Sequence, residues 1–163
     1  IQGVLNENHC AETSEKVRQV FDMKRQNGEH IGSFAVYGYL KDPCDKNALV
    51  IDGEAAAVVR DIFRMFLDGM SKNAIVRDLN SRGILSPSAY KRRRLGLKYQ
   101  NPRVDPARPS LWCAVSVTSI LKNRMYCGDM VQGRYRMKSY KVHIQETVPE
   151  DEWYCGAYAR GHH

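Results

Sequence analysis

The residue types that carry out chemistry are present in this chain but do not assemble into a familiar constellation. Five cysteines, Cys10, Cys44, Cys113, Cys127 and Cys155, are an odd number and never fall at the two-residue spacing of a zinc knuckle or ribbon. They read as reduced intracellular thiols used for packing, in preference to a nucleophile or a disulfide. His9, His30 and His143 are far apart, and His162 and His163, after Arg160 and Gly161, have the look of the start of an affinity tag. Glu150, Asp151 and Glu152 follow a proline and read as an exposed turn before they read as a divalent-ion site. There is no P-loop, no dinucleotide glycine pattern, no His-Glu-x-x-His and no nucleophile elbow. No metal and no cofactor is expected, and the chain reads as one that binds. An enzymatic alternative requires a constellation made only by the fold, such as Cys113 near His143.

The chemistry that the spacing does favour is neutralisation of phosphates. The chain of 163 residues carries 25 Lys and Arg against 18 Asp and Glu, a formal charge of +7. Lys91, Arg92, Arg93, Arg94, Lys98, Arg103 and Arg108 stand against Asp105 alone, and Lys122, Arg124, Arg134, Arg136, Lys138 and Lys141 against Asp129. The acids Glu146, Glu150, Asp151 and Glu152 are kept to the end of the chain. A basic run is often a solvated loop, but two such runs flanking one short polar helix suit a polyanion bound through clustered cations and counterion release.

These residues need elements to position them. The length suits one ordinary domain or two very small ones, and 43% hydrophobic with 26% charged residues is a globular balance. No apolar run approaches the roughly 18 residues of a membrane span. A first helix is predicted from Thr13 or Ser14 to about Asn27, stopped at Gly28, with residues 1–11 undecided between a helical turn and a frayed end. A small strand pair follows, Ala35 to Leu40 and Ala48 to Ile51. The clearest element runs from Asp52 to Asp68, with Asp52 as cap, one apolar stripe from Ala55 to Leu67, and Gly69 as stop. Another helix starts at Ser71, keeps Ile75 and Leu79 inside and ends at Gly83. Residues 88–110 form a long basic connection that reads as too polar to pack. A helix from Ala114 to Lys122 turns Val117, Ile120 and Leu121 inward. Its other face presents Ser116, Thr118, Ser119 and Lys122, which suits base edges or phosphates, with a capped surface helix as the plainer alternative. Asp129 to Tyr135 with Lys141 to Glu146 read as a β-hairpin whose basic arm is a possible wing. The expected class is mainly α with small β-hairpins, an α+β chain.

The order of short motifs is specific where each piece is weak. Ser14-Glu-Lys-Val-Arg, Gly28-Glu-His-Ile-Gly32, Tyr37-Gly38-Tyr39, Leu49-Val-Ile-Asp52, Ile62-Phe63, Ala74-Ile75, Leu79-Asn80 with Gly83-Ile84, Trp112, Val117, Ile120-Leu121-Lys-Asn123, Tyr126-Cys-Gly128 and Trp153 follow one another. This series, over about residues 5 to 154, resembles the recombinase domain of large serine recombinases, the integrases and transposases of phages and conjugative elements. The resemblance implies a helix-turn-helix-like domain with a wing, preceded by the end of a long linker helix. Residues 1–34 would be linker helix and linker, 35–154 the DNA-binding domain, and 155–163 a truncated or added tail. The family's nucleophilic serine domain and its zinc ribbon have no counterpart in these residues, so no strand cleavage is expected of this chain, although the parent would be a site-specific recombinase.

The resemblance also assigns a partner, double-stranded DNA at part of an attachment-site half or transposon end, with a dimer on each site, a tetramer in synapsis, and a cytoplasmic setting. Ser116, Thr118, Ser119 and Lys122 would face the major groove. Lys91, Arg92, Arg93, Arg94, Lys98, Arg124, Arg134, Arg136 and Lys138 would neutralise phosphates, while Lys24, Arg25 and His30 would serve a linker crossing the minor groove. A stand-alone transcription regulator or structured-RNA binder using the same basic face is the alternative, followed by a protein-interaction module with a merely solvated basic loop.

Overall fold

The structure, a computed structural model, describes residues 2–98, 111–138 and 144–157. Among these, five helices and six short strands in two-stranded sheets make an α+β architecture, as expected. The chain divides into two compact units, one of residues 1–35, 41–50 and 124–163 and the other of residues 36–40 and 51–123. Strands β1 (Tyr39–Lys41) and β2 (Leu49–Ile51) pair with each other. Residues 36–38 make a turn instead of the predicted extension, with the Tyr39 amide donating to the Val36 carbonyl and Gly38 at φ 94°.

The second unit, residues 36–40 and 51–123, is helical, and its boundaries follow from local chemistry. The Asp52 carboxylate accepts from the Ala55 amide and caps α2 (Gly53–Leu67), whose stripe buries Ala55, Val59 and Ile62. Gly69 ends it at φ 89°, a left-handed conformation in which its amide and that of Met70 close on the Phe66 and Met65 carbonyls. Ser71 caps α3 (Lys72–Ser81) through Ala74, and Ile75 and Leu79 are fully buried. Helix α5 (Ala114–Leu121) packs on α2 and α3 with Val117 and Ile120 inside. Truncating Ile62, Ile75 or Leu79 to Ala would cost about 2–5 kcal/mol. Buried Trp112 meets Tyr37 edge-to-face at 5.6 Å, and Tyr37 meets Tyr90 in the same way at 5.5 Å. Asn80 fixes the Trp112 backbone from both sides: its amide group donates to the Trp112 carbonyl at 3.2 Å, and its oxygen accepts from the Trp112 N–H at 2.8 Å.

One expectation fails here. Residues 88–110 are not wholly an unpacked connection, because α4 (Pro87–Arg93) starts with proline in its first turn and buries Ser88, Ala89 and Tyr90. The polar composition of the segment hides two core residues at its start. Residues 99–110 lie outside the described part.

In the first unit, α1 (Gln2–Gln26) begins a dozen residues before the predicted cap. Thr13 does not cap it, since its hydroxyl donates to the His9 carbonyl inside the helix. The C-terminus is closed at Gly28, φ 71°, as predicted. The chain then runs past Gln132, whose side chain accepts from the Ile31 amide at 3.2 Å and donates to the Glu29 carbonyl at 2.7 Å. The predicted hairpin is re-paired. Strand β3 (Asp129–Gln132) pairs antiparallel with β6 (Tyr154–Ala157), whereas β4 (Tyr135–Met137) pairs with β5 (Gln145–Thr147). Gly133, at φ 78°, separates β3 from β4, and a Cβ there would lie 2.8 Å from the Tyr154 ring. All five cysteines are free and exposed, so none is the packing residue expected.

Candidate nucleic-acid interface

The two units differ in charge. Residues 36–40 and 51–123 hold thirteen Lys and Arg against six Asp and Glu, a formal +7, while the other unit has twelve of each and is neutral. The whole net charge of the chain therefore resides in the unit that carries α4 and α5.

The arginine run on α4 is anchored to the start of α2. The Tyr90 hydroxyl donates to the buried Asp52 carboxylate at 2.9 Å, and Arg94 Nε donates to Glu54 at 3.1 Å. Burial, then the hydrogen bond to Asp52, pushes the Tyr90 phenol up to about 12. Lys91 is half-buried, and desolvation holds its ammonium below the ordinary lysine range. Arg92, Arg93 and Lys98 are exposed. Arg93 and Lys98 meet no carboxylate among the described residues, nor do the exposed Arg60, Lys72, Arg77 and Lys122 of the same unit.

Helix α5 does not present its four predicted polar residues equally. The Thr118 hydroxyl is half-buried and donates to the Ala114 carbonyl at 2.7 Å, and the half-buried Ser116 hydroxyl lies 3.2 Å from Cys113 Sγ. Ser119 and Lys122 are exposed. Val115, 62% exposed, shares their stripe at i, i+4 and i+7. Its exposure is legible in the spacing, which sets Val115 opposite the buried Val117. Cys113 occupies the cap position without a side-chain cap bond.

The predicted phosphate ligands of the first unit are largely occupied. Arg124 makes a forked contact to Asp129 at 2.7 and 3.1 Å, and Arg136 is held by Glu146 at 2.6 Å and Glu152 at 3.5 Å. In each case the hydrogen bond to the carboxylate keeps the guanidinium more firmly charged than usual. Half-buried Arg134 stacks over Trp153 at 5.1 Å, and Lys138 is exposed. Of the linker candidates, Lys24 lies 3.8 Å from Glu29, and Arg25 pairs with Asp22 at 2.6 Å beside the Tyr154 ring. His30 is 7% exposed, with Nε2 donating to the Phe34 carbonyl at 3.3 Å, and Gly32 leaves room for its ring, 2.9 Å from where a Cβ would lie. Among the described residues no group of His, Cys, Asp and Glu is placed to hold a metal ion, and no helix is long and apolar enough to cross a membrane. Lys141, and with His143 the proposed Cys113 pairing, lie outside the described residues.

A mostly helical unit that holds the whole net positive charge of the chain suits a polyanionic partner. The family model named Recombinase matches residues 53–159, from the first turn of α2 through β6, and the chain belongs to this family, the recombinase domain of serine recombinases. Its role is in site-specific DNA recombination, with DNA as partner. No curated protein and no solved structure matches the chain.

Proposed function

We propose that the chain binds double-stranded DNA in a sequence-specific manner, at part of an attachment-site half used for integration or excision of a mobile element. The observation that carries this reading is the segregation of the full +7 into the unit of residues 36–40 and 51–123. In this reading α2, α3 and α5 act as a helix-turn-helix-like group, and α5 faces the major groove through Ser119 and Lys122, with Ser116 and Thr118 holding the first turns of the helix. Arg92, Arg93 and Lys98 follow the phosphates. Lys138 and the linker residues Lys24 and Arg25 add peripheral contacts. The assembled recombinase acts as a dimer on each site and a tetramer in synapsis, and this chain binds without cleaving.

The test is fluorescence anisotropy on a duplex selected from a random pool, a scrambled duplex and an A-form RNA hairpin, from about 50 to about 200 mM salt. Preference for the selected duplex, with affinity falling steeply with salt, supports the reading. Equal affinity for both duplexes removes sequence specificity from it, preference for the hairpin favours an RNA binder, and no duplex binding at low salt refutes it. Nicking of supercoiled plasmid by the chain alone would refute the non-cleaving assignment.

A further inference from the structure

We infer that Val115 is a base-reading residue and that its target is the C5-methyl group of a thymine in the major groove. The inference rests on the duplex-binding reading above and deepens it. Helix α5 satisfies its core with Val117, fully buried, and Ile120, 5% exposed, yet Val115 stands 62% exposed on the opposite side. Its isopropyl group is not needed for packing.

Three further features give that group a direction. Val115 is the second residue of α5, and the first turns of a groove-entering helix are those that reach base edges. A β-branched side chain in a helix is nearly fixed in one rotamer, so its methyl groups are presented with little entropy left to lose. It shares its stripe with Ser119 and Lys122, and no acid lies in the first turn of α5 to repel a phosphate backbone. The unit around it carries the whole positive charge of the chain, which complements a polyanion better than an apolar protein partner. Of the groups that the four bases display in the major groove, only the thymine methyl is apolar.

Wild type and Val115→Ala are compared on the selected duplex, with each thymine replaced in turn by deoxyuridine, which removes the methyl alone. Burial of one methyl corresponds to about fourfold in affinity. At one position deoxyuridine is expected to weaken wild type about fourfold, and Val115→Ala is expected to bind the parent duplex about fourfold more weakly and to ignore that replacement. A thermal melt of the variant, whose site is exposed, checks that it is folded. Wild-type affinity indifferent to every replacement, or a variant that keeps full sensitivity, overturns the Val115 assignment while leaving duplex binding in place. A wild type that binds no duplex overturns both.

Discussion

The pairing of the arginines predicts which charges contribute to DNA affinity. Arg93, Lys98 and Lys122 are exposed without a carboxylate partner among the described residues, whereas Arg124 and Arg136 are neutralised by Asp129, Glu146 and Glu152. Each phosphate contact releases counterions worth about 0.9 in the log–log salt slope, so the triple variant Arg93→Gln/Lys98→Gln/Lys122→Gln should flatten the slope by up to about 2.7. Over a fourfold rise in salt, each lost contact corresponds to about a 3.5-fold smaller drop in affinity. The charge-conserving doubles Arg124→Gln/Asp129→Asn and Arg136→Gln/Glu146→Gln should leave the slope unchanged. An exposed ion pair is worth only about 0.2–1 kcal/mol, so its arginine can turn to a phosphate, but the carboxylate left beside the DNA holds a cation and cancels the gain. Anisotropy titrations at four or more salt concentrations measure the slopes of wild type and of all three variants. If either double flattens the slope by about 0.9, the value of one lost phosphate contact, the partition of charge between the units does not locate the interface.

Three further predictions follow from side-chain geometry. Because the folded-state phenol of Tyr90 titrates near 12 against an ordinary value of about 10, its contribution to stability is complete below about pH 10 and is lost as pH rises toward 12; Tyr90→Phe should remove that part of the alkaline destabilisation, read by urea midpoints between pH 9 and pH 12. Asn80→Ala strands the Trp112 amide and carbonyl at a buried site and should cost about 2–3 kcal/mol, seen as a lower urea midpoint at unchanged m-value, and a loss under about 0.5 kcal/mol would show that those groups are satisfied otherwise. All five thiols should react under native conditions, with Cys113 first. Partial burial raises its pKa, but hydrogen bonds from the Ser116 hydroxyl and amide and the Val115 amide outweigh this and lower it, which peptide mapping after brief alkylation near pH 7.5 will test.

The parts of the fold legible in sequence are those determined within about one helical turn. The boundaries of α2 and α3 rest on Asp52, Ser71, Gly69 and Gly83, whose effects reach no further than the next few amides. The apolar stripes of α2 and α5 are likewise local, and Val59, Ile62, Val117 and Ile120 are buried where periodicity places them, whereas Phe66 and Leu67, at the end of the predicted α2 stripe, are exposed. What escaped depends on distant partners. Strand β3 meets β6 through Val131 opposite Cys155, a separation at which the alternation of a four-residue strand carries no information about its mate. Tyr90 is a core residue because Asp52, 38 positions earlier, accepts its hydroxyl. The start of α1 escaped for another reason: helix propensity before Thr13 is ordinary, and a mid-helix threonine bonding to the preceding turn resembles a cap in sequence.

The candidate site shows the same division. The two basic stretches look alike in sequence, yet in the second Arg136 lies opposite Glu146 in the β4–β5 register and Arg124 pairs with Asp129, so two of its arginines are taken up by acids, while α4 keeps exposed cations. Charge of this kind is non-directional, and phosphate contacts position a protein without reading sequence. In the proposed duplex-binding reading discrimination comes from side chains presented with fixed geometry, and on α5 only Val115, Ser119 and Lys122 are exposed in one stripe, the Thr118 hydroxyl being engaged with its own helix. Two classes of variant should separate on that basis. Changes at Arg93 or Lys98 weaken binding to all duplexes alike and flatten the salt slope, whereas Val115→Ala and Ser119→Ala shift preference among duplexes at an unchanged slope. Lys122 belongs to both groups by position, and Lys122→Gln should show both effects at once; an effect on slope alone would place the end of α5 on the backbone and leave base reading to its first two turns.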